Sequence, residues 1–310
     1  MANQNLHKAK DKKNDEFYTQ LADIENELRH YKDQFKDKVV LCNCDDPRVS
    51  NFFHYFSYNF EQLWLKKLIT TCYKSQETDL FSTNSSEKAI YLEYEWDKDG
   101  DRIPDISEIW VKELKWDGDF RSPECIELLK QADIVVTNPP FSLFREYVDQ
   151  LIQYDKKFLI IWNKNAITYK EVFKYIKENK VWLWYTSANE FILPDWQATK
   201  QVQWLTRWFT NLNVSKRHEN LILYKTYGWN EQEYPKYDNY DAIEVSKVSD
   251  IPVDYEWVMW VPITFLDKHN PDQFELIGID RYVEDNPNYW RRFTINWKEI
   301  YARILIRKIK

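Results

Sequence analysis

Glycine is nearly missing from this chain, at 4 of 310 residues, where roughly 22 are usual for that length. Cysteine is no more numerous, at 4 residues. Cys42, Cys44, Cys72 and Cys125 form no CxxC pair, which excludes a zinc ribbon or a disulfide framework and points to a reduced, cytoplasmic setting. The five histidines are scattered, so no metal site is expected. No apolar run is long enough to span a bilayer and no leader peptide is legible, so no membrane is expected as a partner. Positive charge is in deficit too, with a formal net charge of −7. That argues mildly against nucleic acid, although a local basic patch is enough to hold phosphates. Internal repeats and low-complexity tracts are absent.

What the chain lacks in glycine it carries in tryptophan, at 15 residues. Many of these stand where a turn wants glycine, as in Glu95-Trp96-Asp97, Lys115-Trp116-Asp117 and Asn296-Trp297-Lys298. Large aromatics seldom occupy turn positions that need φ > 0. We read most of them as a glycine codon rendered as Trp, as when UGA comes from a genome that reads it as Gly. Codons at Trp64, Trp96, Trp116, Trp162 and Trp260 decide the matter; a genuinely Trp-rich protein is the alternative.

With 44% hydrophobic and 30% charged residues, the chain reads as globular and long enough for one large domain or two unequal ones. Residues 1–14 form a polar basic arm, expected to be mobile. A helical period covers 21–35. Buried strands are expected at Lys38–Cys42, Leu65–Cys72 and Phe158–Ile161, and shorter ones near 110–114 and 181–185. Helices are expected over Ser50–Phe60, 123–131, Leu143–Tyr154 and 168–179. Residues 74–88 read as loop, and Asp97-Lys98-Asp99-Gly100-Asp101 as a hairpin turn rather than a calcium loop, its glycine being out of place for an EF-hand. Strands alternating with helices predict an α/β fold with a mostly parallel sheet covered on both faces. Beyond about 190 the alternation fades into prolines, tyrosines and short extended pieces.

The chain is organised around Ala132-Asp133-Ile134-Val135-Val136-Thr137-Asn138-Pro139-Pro140-Phe141. Its apolar half is a buried parallel strand. Proline cannot continue a central strand, so the chain turns at Asn138, at the edge where open α/β sheets bind ligands. A structural Pro-Pro turn is the plain alternative. The chemical reading starts from an exocyclic amine, a poor nucleophile because its lone pair is delocalised into the ring. Asn138 Oδ1 and the Pro139 carbonyl accepting both amine hydrogens would localise that pair for in-line attack on an activated methyl group, with Phe141 stacked on the ring. Asn138-Pro139-Pro140-Phe141 resembles the catalytic motif of amino-methyltransferases that use S-adenosylmethionine.

Over nearly its whole length the chain resembles the EcoRI-type adenine-specific DNA methyltransferases. The likeness is carried by Asp15-Glu16-Phe17-Tyr18-Thr19-Gln20, by Cys42-Asn43-Cys44-Asp45-Asp46-Pro47-Arg48-Val49-Ser50-Asn51-Phe52, by Asp117-Gly118-Asp119-Phe120-Arg121-Ser122, and by Thr137 to Tyr147. Tyr234 to Ile243 and Val261 to Leu266 extend it. The resemblance implies a Rossmann-like S-adenosylmethionine-dependent methyltransferase sheet over 15–190 and a C-terminal target-recognition region over 191–310 that partly completes the sheet. It implies that Phe17, Tyr18 and Thr19 line the cofactor pocket, that Asp45, Asp46 and Pro47 lie beside the methionine part, and that Asp119 and Phe120 hold the adenine. Turn or cap chemistry is the alternative for Asp45 and Asp119. The common Gly-rich loop is absent, and no acidic residue closes the second strand to bind ribose. The family has Gly where Trp116, Trp184, Trp257, Trp260 and Trp297 stand here, whereas Trp182 and Trp208 look authentic. A real Trp116 would crowd the adenosine.

The implied activity is N6-methylation of a flipped adenine in double-stranded DNA by a monomer, as the modification enzyme of a restriction–modification pair with a cognate endonuclease encoded nearby. Three basic stretches, 1–13, 196–217 and 291–310, are available for phosphate; any one alone reads first as a solvated face, and only all three on one side would be informative. Base-edge readout of the DNA would fall to the 190–310 region, where Lys200, Arg207, Lys216, Arg217, Arg291 and Arg292 are the candidates. An RNA-base or protein-glutamine methyltransferase is the second enzymatic reading, and a DNA-binding relative with a dead cofactor pocket the third.

Overall fold

A computed structural model describes residues 18–43, 50–71, 89–96, 108–140, 142–183, 186–187, 190–192, 199–201, 206–279, 282–283, 293–300 and 303–309. The strands of the first half are β1 (Tyr18–Thr19), β2 (Val39–Asn43), β3 (Lys67–Thr71), β4 (Ile90–Tyr94), β5 (Trp110–Glu113), β6 (Ile134–Thr137) and β7 (Lys157–Asn163). Then come β8 (Trp182–Leu183), β9 (Glu190–Ile192), β10 (Thr199–Gln201), β11 (Thr206–Thr210), β12 (Ile243–Glu244), β13 (Met259–Pro262), β14 (Phe274–Ile279), β15 (Thr294–Ile295), β16 (Lys298–Glu299) and β17 (Arg303–Lys308). The helices are α1 (Leu21–Leu28), α2 (Asn51–Tyr58), α3 (Pro123–Gln131), α4 (Phe144–Gln153) and α5 (Lys170–Lys177).

By contact the chain forms two units, the first up to 164 with 184–212 and the second 165–183 with 213 onward. In the first, seven strands run in the order β5-β4-β3-β2-β6-β7-β11. The expected parallel sheet is parallel only through its four central strands, where β3, β2, β6 and β7 pair in sequence. Both flanks are antiparallel: β4 and β5 beyond β3, and β11 beside β7. Antiparallel neighbours need no crossover helix, so the chain can add them from short returns. The central strands are continuous apolar runs, and every residue of β2 and of β6 is buried, as a sheet covered on both faces requires.

The entry to β2 is pinned to that of β6. Asp133 Oδ2 accepts from the Val39 N–H at 2.8 Å, and the Asp133 N–H donates to the Val39 carbonyl at 2.9 Å. Before β6, α3 starts on Ser122, whose hydroxyl accepts from the Cys125 N–H at 3.2 Å, with Pro123 in the first turn. At the far end of α3, Lys156 Nζ donates to the Lys130 and Ala132 carbonyls at 2.9 and 2.8 Å. After β6, α4 buries Phe144, Tyr147, Val148 and Leu151, an i, i+3, i+4, i+7 stripe facing the sheet.

The helix expected over 21–35 is shorter than its apolar period. It ends at Leu28, and Lys32–Gln34 is a 3-10 turn. The His30 and Tyr31 N–H groups reach back three residues rather than four, to Glu27 and Leu28. That tightening keeps Leu28, Tyr31 and Phe35 all buried. The helix expected over 168–179 likewise opens as a 3-10 turn at Lys164–Thr168 before α5. The loop expected over 74–88, the hairpin turn at 97–101 and the arm at 1–14 lie outside the described residues.

In the second unit four strands run in the order β12-β13-β17-β14. Trp260 lies at its core, with ring centroids 4.4 Å from Phe293 and 5.9 Å from Tyr237. The hairpin β15–β16 belongs to the same unit.

Candidate active site

The strand order itself marks a place. From β2 the sheet grows to β3 on one side and to β6 on the other, so the crevice between β2 and β6 is the topological switch point. Its floor is made by the last residues of those strands, Asn43 and Thr137. The Thr137 hydroxyl donates to the Asn43 carbonyl, and the Tyr147 hydroxyl of α4 donates to Asn43 Oδ1. Asn138 follows directly, 6% exposed. Pro139 is buried and Pro140 half-buried. Two residues without N–H groups cannot extend the ladder, so β6 ends and the chain turns. The Pro140 carbonyl accepts from Leu143 at 3.1 Å and leads into α4.

Beside this floor stands Phe120, buried, its ring edge-on to Tyr147 at 5.0 Å. Gln150, one turn further along α4, donates to the Phe120 carbonyl at 3.1 Å. The neighbouring Asp119 carboxylate is gripped by Arg121, with Oδ2 2.6 Å from the guanidinium and Oδ1 accepting from the Arg121 N–H at 2.8 Å. The Arg121 hydrogen bond holds the Asp119 carboxyl below the usual carboxylate range, against a smaller opposing effect of burial. Arg121 also reaches Glu146 at 2.9 Å. Thr19 lies on β1, which pairs with β9. Its backbone carbonyl accepts from Asn51 Nδ2 at 2.8 Å, while its own buried hydroxyl has no partner among the described residues.

Of the residues expected at the site, Asn138, Pro139, Pro140, Phe120, Asp119 and Thr19 therefore have a described setting. A chain of contacts, Phe120 to Tyr147 to Asn43 to Thr137, joins the Phe120 loop to the Asn138 turn. Tyr18 contributes backbone to β1. Phe17, Asp45, Asp46, Pro47 and Phe141 lie outside the described residues. Asn43 and Tyr147 stand inside the motif stretches, yet no sequence argument gave them a role. The available signal was an amide closing an otherwise apolar strand. The Trp116 side chain points largely into solvent.

Four of the six basic candidates lie among the described residues. Arg207, on β11 of the first unit, donates to the Ser187 hydroxyl and to the Thr206 carbonyl. In the second unit Arg217 lies over the Trp182 ring at 4.1 Å and donates to Asn179 Oδ1 at 2.6 Å. Burial pulls its pKa down to about 10. Lys216 beside it is exposed. Lys200 contributes backbone to β10, and Arg291 and Arg292 lie outside the described residues.

A family model described as "Adenine-specific methyltransferase EcoRI" matches residues 5–309. The chain is 52% identical over 321 residues to the Type II methyltransferase M.EcoRI of Escherichia coli, covering 98% of this chain and 96% of that one. It is 38% identical over 336 residues to the Type II methyltransferase M.MgeORF184P of Mycoplasma genitalium, covering 98% of both chains. To the Type II methyltransferase M.MpnI of Mycoplasma pneumoniae it is 39% identical over 290 residues, 88% of this chain and 84% of that one. No solved structure gives a significant match.

Proposed function

Because this chain belongs to the EcoRI adenine-specific methyltransferase family, we propose that it is a DNA methyltransferase acting on the N6 amine of an adenine flipped out of duplex DNA. The observation that carries the reading is the setting of Asn138: a buried amide at the end of β6, at the switch point, held by two prolines. An amide oxygen and a rigid carbonyl, from Asn138 and Pro139, accept the two amine hydrogens and leave the nitrogen lone pair free to attack. Phe141 stacks on the extruded ring. Acceptors aimed where positive charge develops stabilise the transition state more than the ground state. Once methylated, the ammonium is acidic enough to lose its proton to water, so no His/Asp pair is required. Extruding the base costs a few kcal/mol, offset by Lys/Arg contacts to phosphate, while Lys200, Arg207, Lys216, Arg217, Arg291 and Arg292 are the candidates for base-edge readout.

S-adenosylmethionine supplies, when bound, the electrophilic methyl carbon. The described residues fit such a molecule. Phe120 offers a ring edge-packed beside the switch point, Asp119 an ionised carboxylate to accept from the adenine amino group, and Thr19 a buried hydroxyl in need of a partner. Phe17, Tyr18, Asp45, Asp46 and Pro47 complete the set. The catalytic domain is 15–190, and target recognition falls to 191–310, which partly completes the catalytic sheet through β11. The enzyme serves as the modification half of a restriction–modification pair, with a cognate endonuclease encoded nearby.

Tritiated-methyl transfer from S-adenosylmethionine to mixed duplex DNA tests this. We expect incorporation at adenine N6, and a loss of at least about 100-fold in Asn138→Ala. Retained DNA affinity with no cofactor uptake would instead make the chain an inactive binding relative.

A further inference from the structure

At the switch point two buried side chains are hydrogen-bonded to each other outside the strand ladder. β2 and β6 are paired through Val40 with Ile134 and Leu41 with Val135. Yet β2 closes on Asn43, 6% exposed, where another aliphatic residue would bury more cheaply. A buried amide is costly unless paired. Here the pair is supplied from 104 residues away by the hydroxyl of Tyr147, itself 1% exposed. The Asn43 backbone carbonyl is meanwhile taken by Thr137, the residue immediately before Asn138. Tyr147 has a second contact, its ring against Phe120, and α4 makes a third through Gln150 to the Phe120 carbonyl.

We propose that Tyr147 and Asn43 are positioning residues for methyl transfer. Together they form a bracket that sets the Asn138 turn relative to the Phe120 side of the cofactor site. The hydroxyl end of Tyr147 holds β2, whose end is bonded to β6 one residue from the reacting amide. Its ring holds the loop proposed to grip the adenine of the methyl donor. One rigid side chain thus spans the two halves of the reaction centre. In-line transfer tolerates little slack, because a displacement of about 1 Å in the reacting groups can cost on the order of 100-fold in rate. The inference rests on the proposed role of Asn138.

The test is a single-turnover comparison with S-adenosylmethionine and a methylatable duplex. Tyr147→Phe keeps the ring on Phe120 and removes only the hydroxyl. We expect its cofactor and duplex dissociation constants to stay within about twofold of the parent while the transfer rate falls at least tenfold. Asn43→Leu, matched in shape but without an acceptor, should lose a similar factor, and the double variant no more than either single one, since the two act as a unit. A purely structural role would lower the melting temperature and leave the rate per folded molecule unchanged. Transfer by Tyr147→Phe at half the parent rate or better overturns the proposal, as does a tenfold loss of cofactor affinity that accounts for the whole defect. Should Asn43→Leu not fold, the Tyr147→Phe arm decides alone. A parent protein inactive on every duplex would instead refute the methyltransferase reading and this proposal with it.

Discussion

Trp64 and Trp297 have φ of 53° and 62°, in the left-handed region where a Cβ costs about 1–2 kcal/mol. Among the described residues the other non-glycine ones there are Asp37, Asp155, Asn179 and Asn296, types that tolerate the conformation. Asn296 and Trp297 form the two-residue connection between β15 and β16, both with positive φ, as a type I′ hairpin turn demands. With Gly in place of Trp297 this would be Asn-Gly, a strong short hairpin signal. Trp64 and Trp297 are 68% and 88% exposed, so removing either indole sacrifices little packing. Trp64→Gly and Trp297→Gly should therefore each raise the unfolding free energy, by about 1 kcal/mol, read from the urea midpoint. Trp208, fully buried with its ring edge-on to Phe52, should behave oppositely, with Trp208→Ala costing about 3–5 kcal/mol. A Trp64→Gly protein less stable than its parent would count against a misread codon at that position. At this scale the scarcity of glycine was plain in composition, but which tryptophans occupy strained turns became clear only with backbone angles. Asn138 was legible because two prolines follow it and end the strand there; Asn43 was not, since its partner is far along the chain.

Helix α1 carries an unusual buried group. Glu27 accepts from the Tyr31 hydroxyl at 2.9 Å and from the Thr186 N–H and hydroxyl at 2.8 and 2.7 Å. Burial pushes its carboxyl up to about 7, outweighing those hydrogen bonds. Because the folded value lies above the unfolded one, the folded protein holds the extra proton. The associated stability, up to about 3 kcal/mol, is fully present below pH 4.5 and lost as pH rises through about 7. Glu27→Gln should flatten that slope. Melting temperatures of parent and variant compared from pH 5 to 8 check it, and a constant difference would mean that Glu27 titrates normally. Helix α3 offers a second check. Ser122→Ala removes the hydroxyl that accepts from Cys125 and should cost about 1 kcal/mol, measured by urea unfolding. The boundaries of α3 and α4 were readable from a Ser-Pro start and an apolar stripe. The early end of α1 was not, because a 3-10 turn continues the same apolar spacing and only the tertiary partners of Tyr31 and Phe35 distinguish the two.

At the scale of the whole molecule, a chain of net charge −7 proposed to bind DNA must do so through local cations, and such binding releases counterions. Its affinity for duplex should fall linearly in log salt, and exposed Lys216, changed to Ala, should reduce the slope by about 1 if it meets a phosphate. An unchanged slope in a filter-binding titration would return Lys216 to the ordinary solvated surface. The linear chain by itself determined the local conformations, the α/β alternation, the turn at Asn138 and, through likeness along its length, the family. The local conformations depend on residues a few positions apart, where side-chain period, proline geometry and capping act directly. Only the tertiary structure decided that β2 lies against β6, that the sheet is antiparallel at both flanks, and that Tyr147 closes a bracket on Asn43. Contacts between residues about a hundred positions apart leave no trace in local propensity. They exist because the apolar faces of several elements must be buried together, and that packing selects which strand ends meet.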